Sequence, residues 1–474
     1  MKIKLERVET YERQVQLRLP FHYGDMVITE VPQVFLRAKI RDAIGRTKKG
    51  IAAEVLAPKW FDKNPKLSTQ NNFDQIRQSI CIAANLYLSV STPQHPFTLS
   101  FDHYRSQLQE GSKKGLIPLV AGYGPALLDR AVLDAVCRLE GVSFWEGIRK
   151  NLPGFRHHQE ASDLDNFDWD QYLCTFNPLK EIQVRHTVGL SDPITNLDQE
   201  LEKRINDGLP ETLEEVILEY GNRFFKVKVS GHIEETLSRM KSIAAVLDSL
   251  GTYHVTLDAN EQFDTLNRFQ NFIEQLATSK SLQRFWKSIL FIEQPLDRRI
   301  ALEHDLRKIC PERPVIIDES DGKLNSFINA RQLGYRGVTS KACKGVYKAI
   351  LNQARCSVWN RDNLDGYFFM SGEDLTTQAG VAVQQDLAVA ALLGLGHIER
   401  NGHHYVKGFS GVSLSEQSRF ISAHPDLYQK VGETVCLKIR KGGINLSSLD
   451  GPGFGTHVIP DFDFMDPVLT VEQR

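Results

Sequence analysis

Cysteine pairs are missing from this sequence. Its seven cysteines (Cys81, Cys137, Cys174, Cys310, Cys343, Cys356 and Cys436) are odd in number, and no two stand in a C-x-x-C spacing. That excludes a zinc ribbon and a disulfide framework, and it fits reduced thiols in a cytosolic protein. A basic excess is missing too. The chain has 57 Lys and Arg against 59 Asp and Glu, a net charge of −2, so neither nucleic acid nor an anionic membrane surface is expected as a partner. Long apolar runs are also absent. The longest, "LAVAALLGLG" at 387–396, is too short to span a bilayer. The opening "MKIKLERVET" alternates charge and apolarity and has no apolar h-region, so no signal peptide is expected. No low-complexity segment occurs.

What is present is ordinary globular material, 41% hydrophobic and 24% charged over 474 residues. This suffices for a large buried core and more than one domain. Residues 1 to about 60 read as strands ("KIKLERVET", "RQVQLRLPF", "QVFLRAKIR", "KGIAAEVLA") separated by turn signals. Helical periodicity follows over 71–110 and 125–150, where "PALLDRAVLDAVCRLEG" ends on Gly141, a plausible helix stop. We therefore expect an α+β capping domain over 1–155 and a polar, aperiodic linker over 156–180.

From 181 the pattern changes. Eight short apolar segments alternate with helical ones: "EIQVRHTVG", "FFKVKVS", "HVTLDAN", "ILFIEQPL", "PVIIDES", "YRGVTSKAC", "GYFFMSGE" and "GLGHIERNG". Eight strand–helix units predict an α/β fold, a parallel (β/α) TIM-type barrel, over 181–431. Residues 432–474 form a tail. Its "DGPGFG" loop is followed by no helix, so we read it as a tight turn returning to the cap rather than a phosphate loop.

Chemistry in such a barrel sits at the C-terminal strand ends. Here those ends carry Lys226 and Lys228, Asp258, Glu293, Asp318 and Lys341. Steps of 30, 35, 25 and 23 residues separate Lys228, Asp258, Glu293, Asp318 and Lys341. One barrel unit takes roughly 30 residues, so a charge recurs at the same phase in unit after unit. Period two puts Lys226 and Lys228 on one face, and likewise Asp258 and Asn260. Three converging carboxylates require a cation between them. An all-oxygen donor set selects Mg²⁺ first and Mn²⁺ second. Lysines flanking such a triad suit proton transfer. A barrel interior, with Lys226 beside Lys228, is expected to lower a lysine pKa toward about 7–8. A cation there would stabilise the enediolate formed when the proton next to a carboxylate leaves.

The set K-x-K, "LDAN", "EQP", "DES" and a sixth-strand lysine resembles the enolase superfamily, in its muconate-lactonizing-enzyme-like branch. The resemblance spans nearly the whole chain and implies a capping domain, a modified barrel and a tail that completes the cap. It implies Asp258, Glu293 and Asp318 as metal ligands. It implies Lys228 as base on one face of the substrate carbon, Lys341 as acid/base on the other, and Lys226 as electrostatic support. The implied substrate is a small carboxylate. The reaction would be racemisation, epimerisation or cycloisomerisation, with syn elimination as the alternative; a barrel that binds metal without catalysis is a lesser one. "SKACKGVY" departs from the family's Gly-Gly and offers Lys344 beside Lys341, of which the strand phase favours Lys341. Glu319, rival to Asp318, is expected to point the other way. Glu373 and Asp374 after the seventh strand and His186 after the first are candidate substrate contacts, as is Asn260. Tandem His403 and His404 read as loop structure. Two cap loops close over the barrel mouth in this family, which makes His22, Tyr23, Lys59 and Trp60 candidates for setting substrate choice. Barrels of this kind often associate, so a homo-oligomer is expected.

Overall fold

The computed structural model describes residues 1–23, 26–309, 312–362 and 367–473. The first three strands form a long antiparallel meander: β1 (Ile3–Tyr23), β2 (Met26–Asp42) and β3 (Thr47–Val55). Their alternation buries one face. Val8, Leu36, Ala38 and Ala52 are fully covered by helices Thr69–Leu88 and Tyr123–Glu140. Helix Tyr123–Glu140 stops where its sequence says it should. Gly141 takes φ 69°, ψ 24°, and its N–H donates to the Cys137 carbonyl, the left-handed cap that glycine adopts without Cβ strain. Gly50 is needed for a different reason: a Cβ there would lie 2.1 Å from the Ala131 carbonyl oxygen, so β3 and the helix could not approach.

Eight parallel strands follow. They are β4 (Glu181–Val188), β5 (Phe224–Lys228), β6 (His254–Asp258), β7 (Ile289–Glu293), β8 (Val315–Ile317), β9 (Gly337–Ser340), β10 (Phe369–Gly372) and β11 (His397–Glu399). Each pairs with the next, and β11 pairs back onto β4, so the sheet closes into a barrel with no free parallel edge. The pleat sorts each strand. On β5, Phe225 and Val227 are buried toward the helical layer, while Lys226 and Lys228 face the carboxylates of neighbouring strands. Below them Arg185 of β4 lies over the Phe291 ring at 5.4 Å and fills the barrel floor.

After the barrel come a hairpin of β12 (Tyr428–Val431) and β13 (Thr434–Leu437), then β14 (Gly443–Asn445), antiparallel to β4. The last strand, β15 (Asp466–Glu472), pairs with β1 and makes the cap sheet four-stranded. On the way, Phe454 of the "DGPGFG" turn stacks on Phe144 at 4.1 Å, and its N–H donates to Asp134 on the cap helix. Segment 156–180 differs from the aperiodic linker expected for it. It holds a helix at Trp169–Cys174, and Leu164, Trp169 and Leu173 are buried. Its aromatics anchor it: Phe155 lies 5.1 Å from Trp169. No helix among the described residues is long and apolar enough to cross a membrane, and the six described cysteines are all unpaired.

Candidate active site

The strand ends bring nine charged side chains together at the barrel mouth, and Arg185 reaches them from the floor. Lys226 Nζ is the hub. It lies 2.9 Å from Asp258 Oδ2, 2.8 Å from Glu293 Oε2 and 2.9 Å from Glu399 Oε2, and it also bonds Glu373. Lys228 donates to Asp258 Oδ2 and Asn260 Oδ1, both at 2.6 Å. Lys341 lies 2.8 Å from Asp318 Oδ2 and 3.9 Å from Glu293 Oε1. Lys344 reaches Asp318 Oδ1 at 2.8 Å. Arg185 pairs with Glu373 in the floor. Five cations thus face five carboxylates, and all ten groups sit in a region where an uncompensated charge would be costly.

These partners decide the protonation directions. Burial alone would lower the pKa of Lys226, Lys228 and Lys341, but the adjoining carboxylates outweigh it and all three are raised. The expected depression of the lysine pKa is therefore overturned. Lys226 does repel Lys228, but the attraction of Asp258 is larger. Burial opposes ionisation of Asp318 too, yet Lys341 and Lys344 hold it well below the usual carboxylate range. Glu293 goes the other way. Burial, then Asp258 and Glu373, push it up.

The loops after β6 and β7 are built to hold these groups. Asn260, Glu261 and Gln294 have positive φ (41°, 70° and 36°), a strained conformation for residues other than glycine. The Gln294 side chain accepts from Asp318 N at 2.8 Å and donates to Ser320 Oγ at 2.7 Å. The "EQP" motif thereby places one carboxylate with its glutamate and orients the next strand's with its glutamine. Asn260 Nδ2 donates to Glu319 Oε1 at 3.1 Å. Glu319 is buried, and burial with Asp318 nearby pushes it up to about 7. It stands behind Asn260 and not beside Lys341.

Do Asp258, Glu293 and Asp318 suit a divalent cation? Their chemistry does: three carboxylates from three adjacent strand ends. Glu293 turns both oxygens to Lys226 Nζ, Oε1 at 3.0 Å and Oε2 at 2.8 Å. Asp258 and Glu293 converge on the position that the Lys226 ammonium holds, while Asp318 turns to Lys341 and Lys344. Among the described residues no three His, Cys, Asp or Glu groups are already gathered as a coordination sphere. The residues therefore fit the ion in kind, and binding requires the ammonium to yield.

Above the charges opens a cavity of about 670 Å³, its mouth included. Lys228, Asp258, Asn260, Asp318 and Lys341 line its floor, and Leu17, Ile28, Val31 and Val55 line its cap side. Trp60 lines it as well, its ring 5.1 Å from Lys341 Nζ. Arg298 fixes that loop by donating to the Trp60 and Phe61 carbonyls at 2.9 and 2.7 Å. Asp374 lines the cavity and accepts from the Asn401 N–H.

Other candidates fall elsewhere. His186 does not reach the cavity. Arg185 and Thr187 take the inward positions of β4, and His186, turned outward, packs on His404 at 4.9 Å and His403 at 5.5 Å. Burial lowers its pKa to about 3. Lys59 is turned away too; its ammonium caps the Asn64 and Leu67 carbonyls. Glu373 lies beneath the cavity among Lys226, Arg185 and Ser371. The side chains of His22 and Tyr23 lie outside the described residues. Lys344 does not line the cavity, whereas Lys341 does. Two residues of the cluster, Glu399 and Arg185, do not emerge from the sequence pattern as read above. Glu399 carries the same signal as Asp258, an acid closing a barrel strand. Arg185 is visible only as a cation at an inward position of "QVRHTV".

No family model matches the chain, and no curated protein is similar to it in sequence. Solved structures are similar over their full length. A Cytophaga hutchinsonii dipeptide epimerase, complexed with Mg and D-Ala-L-Val, aligns at TM-score 0.60 and 14% identity, covering 99% of this chain and 100% of its own. A Roseovarius nubinhibens enolase-superfamily member, complexed with magnesium, aligns at 0.57 and 16%, covering 99% and 100%. The Pseudomonas fluorescens muconate lactonizing enzyme, complexed with muconolactone, aligns at 0.58 and 16%, covering 97% of each chain. The chain has the enolase-superfamily fold. At these identities the likeness is one of fold; the chemistry has to be argued from the side chains above.

Proposed function

We propose that this protein is an enolase-superfamily enzyme that removes and returns the proton next to a small substrate carboxylate. One observation carries the reading. Lys228 ends β5 and Lys341 follows β9, the second and sixth strands of an eight-stranded barrel. Strands four apart in eight are diametrically opposed. The two ammonium groups therefore enter one cavity from opposite sides, and a carbon held between them presents a different face to each. Asp258, Glu293 and Asp318 would hold Mg²⁺, with Mn²⁺ a second choice. Bound there, the ion would supply charge stabilisation for the enediolate.

The chain's own groups do the rest. Lys228 would take the proton on one face as the free amine, a form that a cation on Asp258 would favour by offsetting the carboxylate that raises its pKa, and Asn260 Oδ1 would accept from the ammonium that results. Lys341 delivers a proton on the other face, oriented by Asp318 and the Trp60 ring. The apolar cap wall excludes water and receives the uncharged part of the substrate, which strengthens the electrostatic contacts beneath. This makes the protein an isomerase, a racemase or epimerase or a cycloisomerase. Syn elimination by one lysine on the same scaffold is the second reading.

The test is deuterium uptake at the α-carbon in D₂O with Mg²⁺, read by NMR over a pool of N-acyl amino acids, dipeptides, sugar acids and aromatic acids. Exchange that disappears in Lys228→Ala or Lys341→Ala and on chelation supports the reading. Exchange that survives both substitutions refutes it.

A further inference from the structure

A second axis crosses the one between the two lysines. β7, which ends on Glu293, and β11, which ends on Glu399, are the fourth and eighth strands of the barrel, so they too are diametrically opposed. A line from β7 to β11 therefore crosses the line from Lys228 to Lys341 where the reacting carbon would lie. With the substrate carboxylate on the Glu293 side, two substituents of that carbon remain. One extends toward the residues that follow β11, and the other rises toward the cap.

Asn401 lies there, two residues past the end of β11. It lines the cavity and is 5% exposed. Its backbone N–H donates to Asp374 Oδ2 at 3.0 Å, and its Nδ2 donates to Glu399 Oε1 at 3.0 Å. Glu399 lies 2.9 Å from the Lys226 ammonium. A carboxylate so paired only accepts, which fixes the Asn401 amide with its nitrogen toward Glu399. Oδ1 is left over, and among the described residues it has no hydrogen-bond partner. Buried polar groups are nearly always satisfied, so a spare acceptor on a residue that lines the substrate cavity calls for a donor on the substrate. The neighbouring charges decide what kind of donor. Asp374 is already met by Arg400 at 3.1 Å, and Glu399 by Lys226. A substrate ammonium would give up its water for a neutral amide oxygen, which does not repay its desolvation. A neutral N–H or O–H gives up far less and gains a full hydrogen bond. In the other direction the wall of Leu17, Ile28, Val31 and Val55 is apolar.

We infer that Asn401 sets substrate choice: its Oδ1 accepts from a neutral donor, an amide N–H or a hydroxyl, carried on the carbon that loses its proton, while the cap wall takes an uncharged side chain. The inference rests on the proton chemistry proposed above, which places the carboxylate and the reacting carbon.

Four acids that share one apolar chain test it on the full chain with Mg²⁺: N-acetylleucine, 2-hydroxy-4-methylpentanoate, leucine and 4-methylpentanoate. Calorimetry reads binding, and NMR in D₂O reads exchange at the α-carbon. N-acetylleucine or the hydroxy acid should bind about tenfold tighter than 4-methylpentanoate, which has no donor. Which of the two binds tighter tells amide from hydroxyl. Leucine, whose amine is an ammonium at pH 7, should gain nothing over 4-methylpentanoate. Asn401→Leu should erase the donor margin, whereas a merely structural loss would weaken all four acids alike. The ranking in the unaltered protein is a test in itself if the variant does not fold. A donor margin that Asn401→Leu erases, with no exchange in any acid, supports the role of Asn401 and refutes the proton chemistry. Exchange without a donor margin, or a margin indifferent to Asn401→Leu, overturns the inference and leaves the proton chemistry standing. Leucine binding tightest, or none of the four binding, overturns the inference as well.

Discussion

Lys226 is the residue whose replacement tests the electrostatics of the site most directly. Its ammonium is 1% exposed and lies within 3.0 Å of Asp258, Glu293, Glu373 and Glu399. Lys226→Met keeps the length of the side chain and removes the charge. Losing one partner from a buried ion cluster costs about 3–5 kcal/mol, and here several carboxylates are left facing one another. Part of that cost is relieved by protonating Glu293, whose pKa already stands well above the usual range. The loss should therefore be larger at pH 8 than at pH 5. The assay is urea unfolding of both proteins in EDTA at the two pH values, repeated with Mg²⁺. A ligand at 100 times its Kd stabilises by about 2.7 kcal/mol. The variant has no ammonium to displace, so its Mg²⁺-induced gain should exceed that of the wild type, and calorimetry should show tighter Mg²⁺ binding. Equal stability of the two proteins in EDTA at pH 8, or weaker Mg²⁺ binding by the variant, would refute the view that Lys226 holds the cation position.

Three further outcomes are expected. Lys344→Met should leave measurable α-carbon exchange, because Lys344 touches Asp318 but does not line the cavity; its abolishing exchange as completely as Lys341→Met does would make it the second base. Trp60→Leu removes a cation–π contact of about 0.5–2 kcal/mol. Stereospecifically deuterated substrate should show exchange on the Lys341 face slowed more than on the Lys228 face, and equal slowing on both would count against that pairing. His186→Leu should make the fold more acid-resistant without changing exchange. The imidazole pKa is lowered from 6.5 to about 3, so the folded state refuses a proton that the unfolded chain accepts. The stability it contributes is full above pH 6.5 and falls as pH drops toward 3. At pH 5 the deficit is about 2 kcal/mol. Unchanged acid-unfolding midpoints would contradict this.

The phase of the charged residues is legible in the order of amino acids alone. A side chain every barrel unit, at the end of each apolar run, is a one-dimensional signal, because the closed sheet repeats the same strand geometry eight times. Asp258, Glu293, Asp318, Lys228 and Lys341 all read out that way, and so does the glycine stop at Gly141. Other positions are less legible, because distance along the chain says little about them. His186 follows its strand as plausibly as Asp258 does, yet the pleat turns it outward, and only the register of β4 against β5 and β11 reveals that Arg185 and Thr187 face in. Parity alone turns Glu319 away from the site, but the chain leaves strand geometry after β8, so period two no longer applies and Asn260 reaches it. The lysine pKa direction is beyond the sequence for a related reason. Lys226 beside Lys228 is a local repulsion, whereas Asp258, Glu293, Glu373 and Glu399 come from four other strand ends, and their sum is larger. The sequence by itself determined the eightfold alternation, the identity of the charges and their height in the barrel. The tertiary structure alone decided which opposite charges meet, because closure of the sheet sets distances between residues up to 188 positions apart, and Coulomb attraction depends on those distances and not on order along the chain.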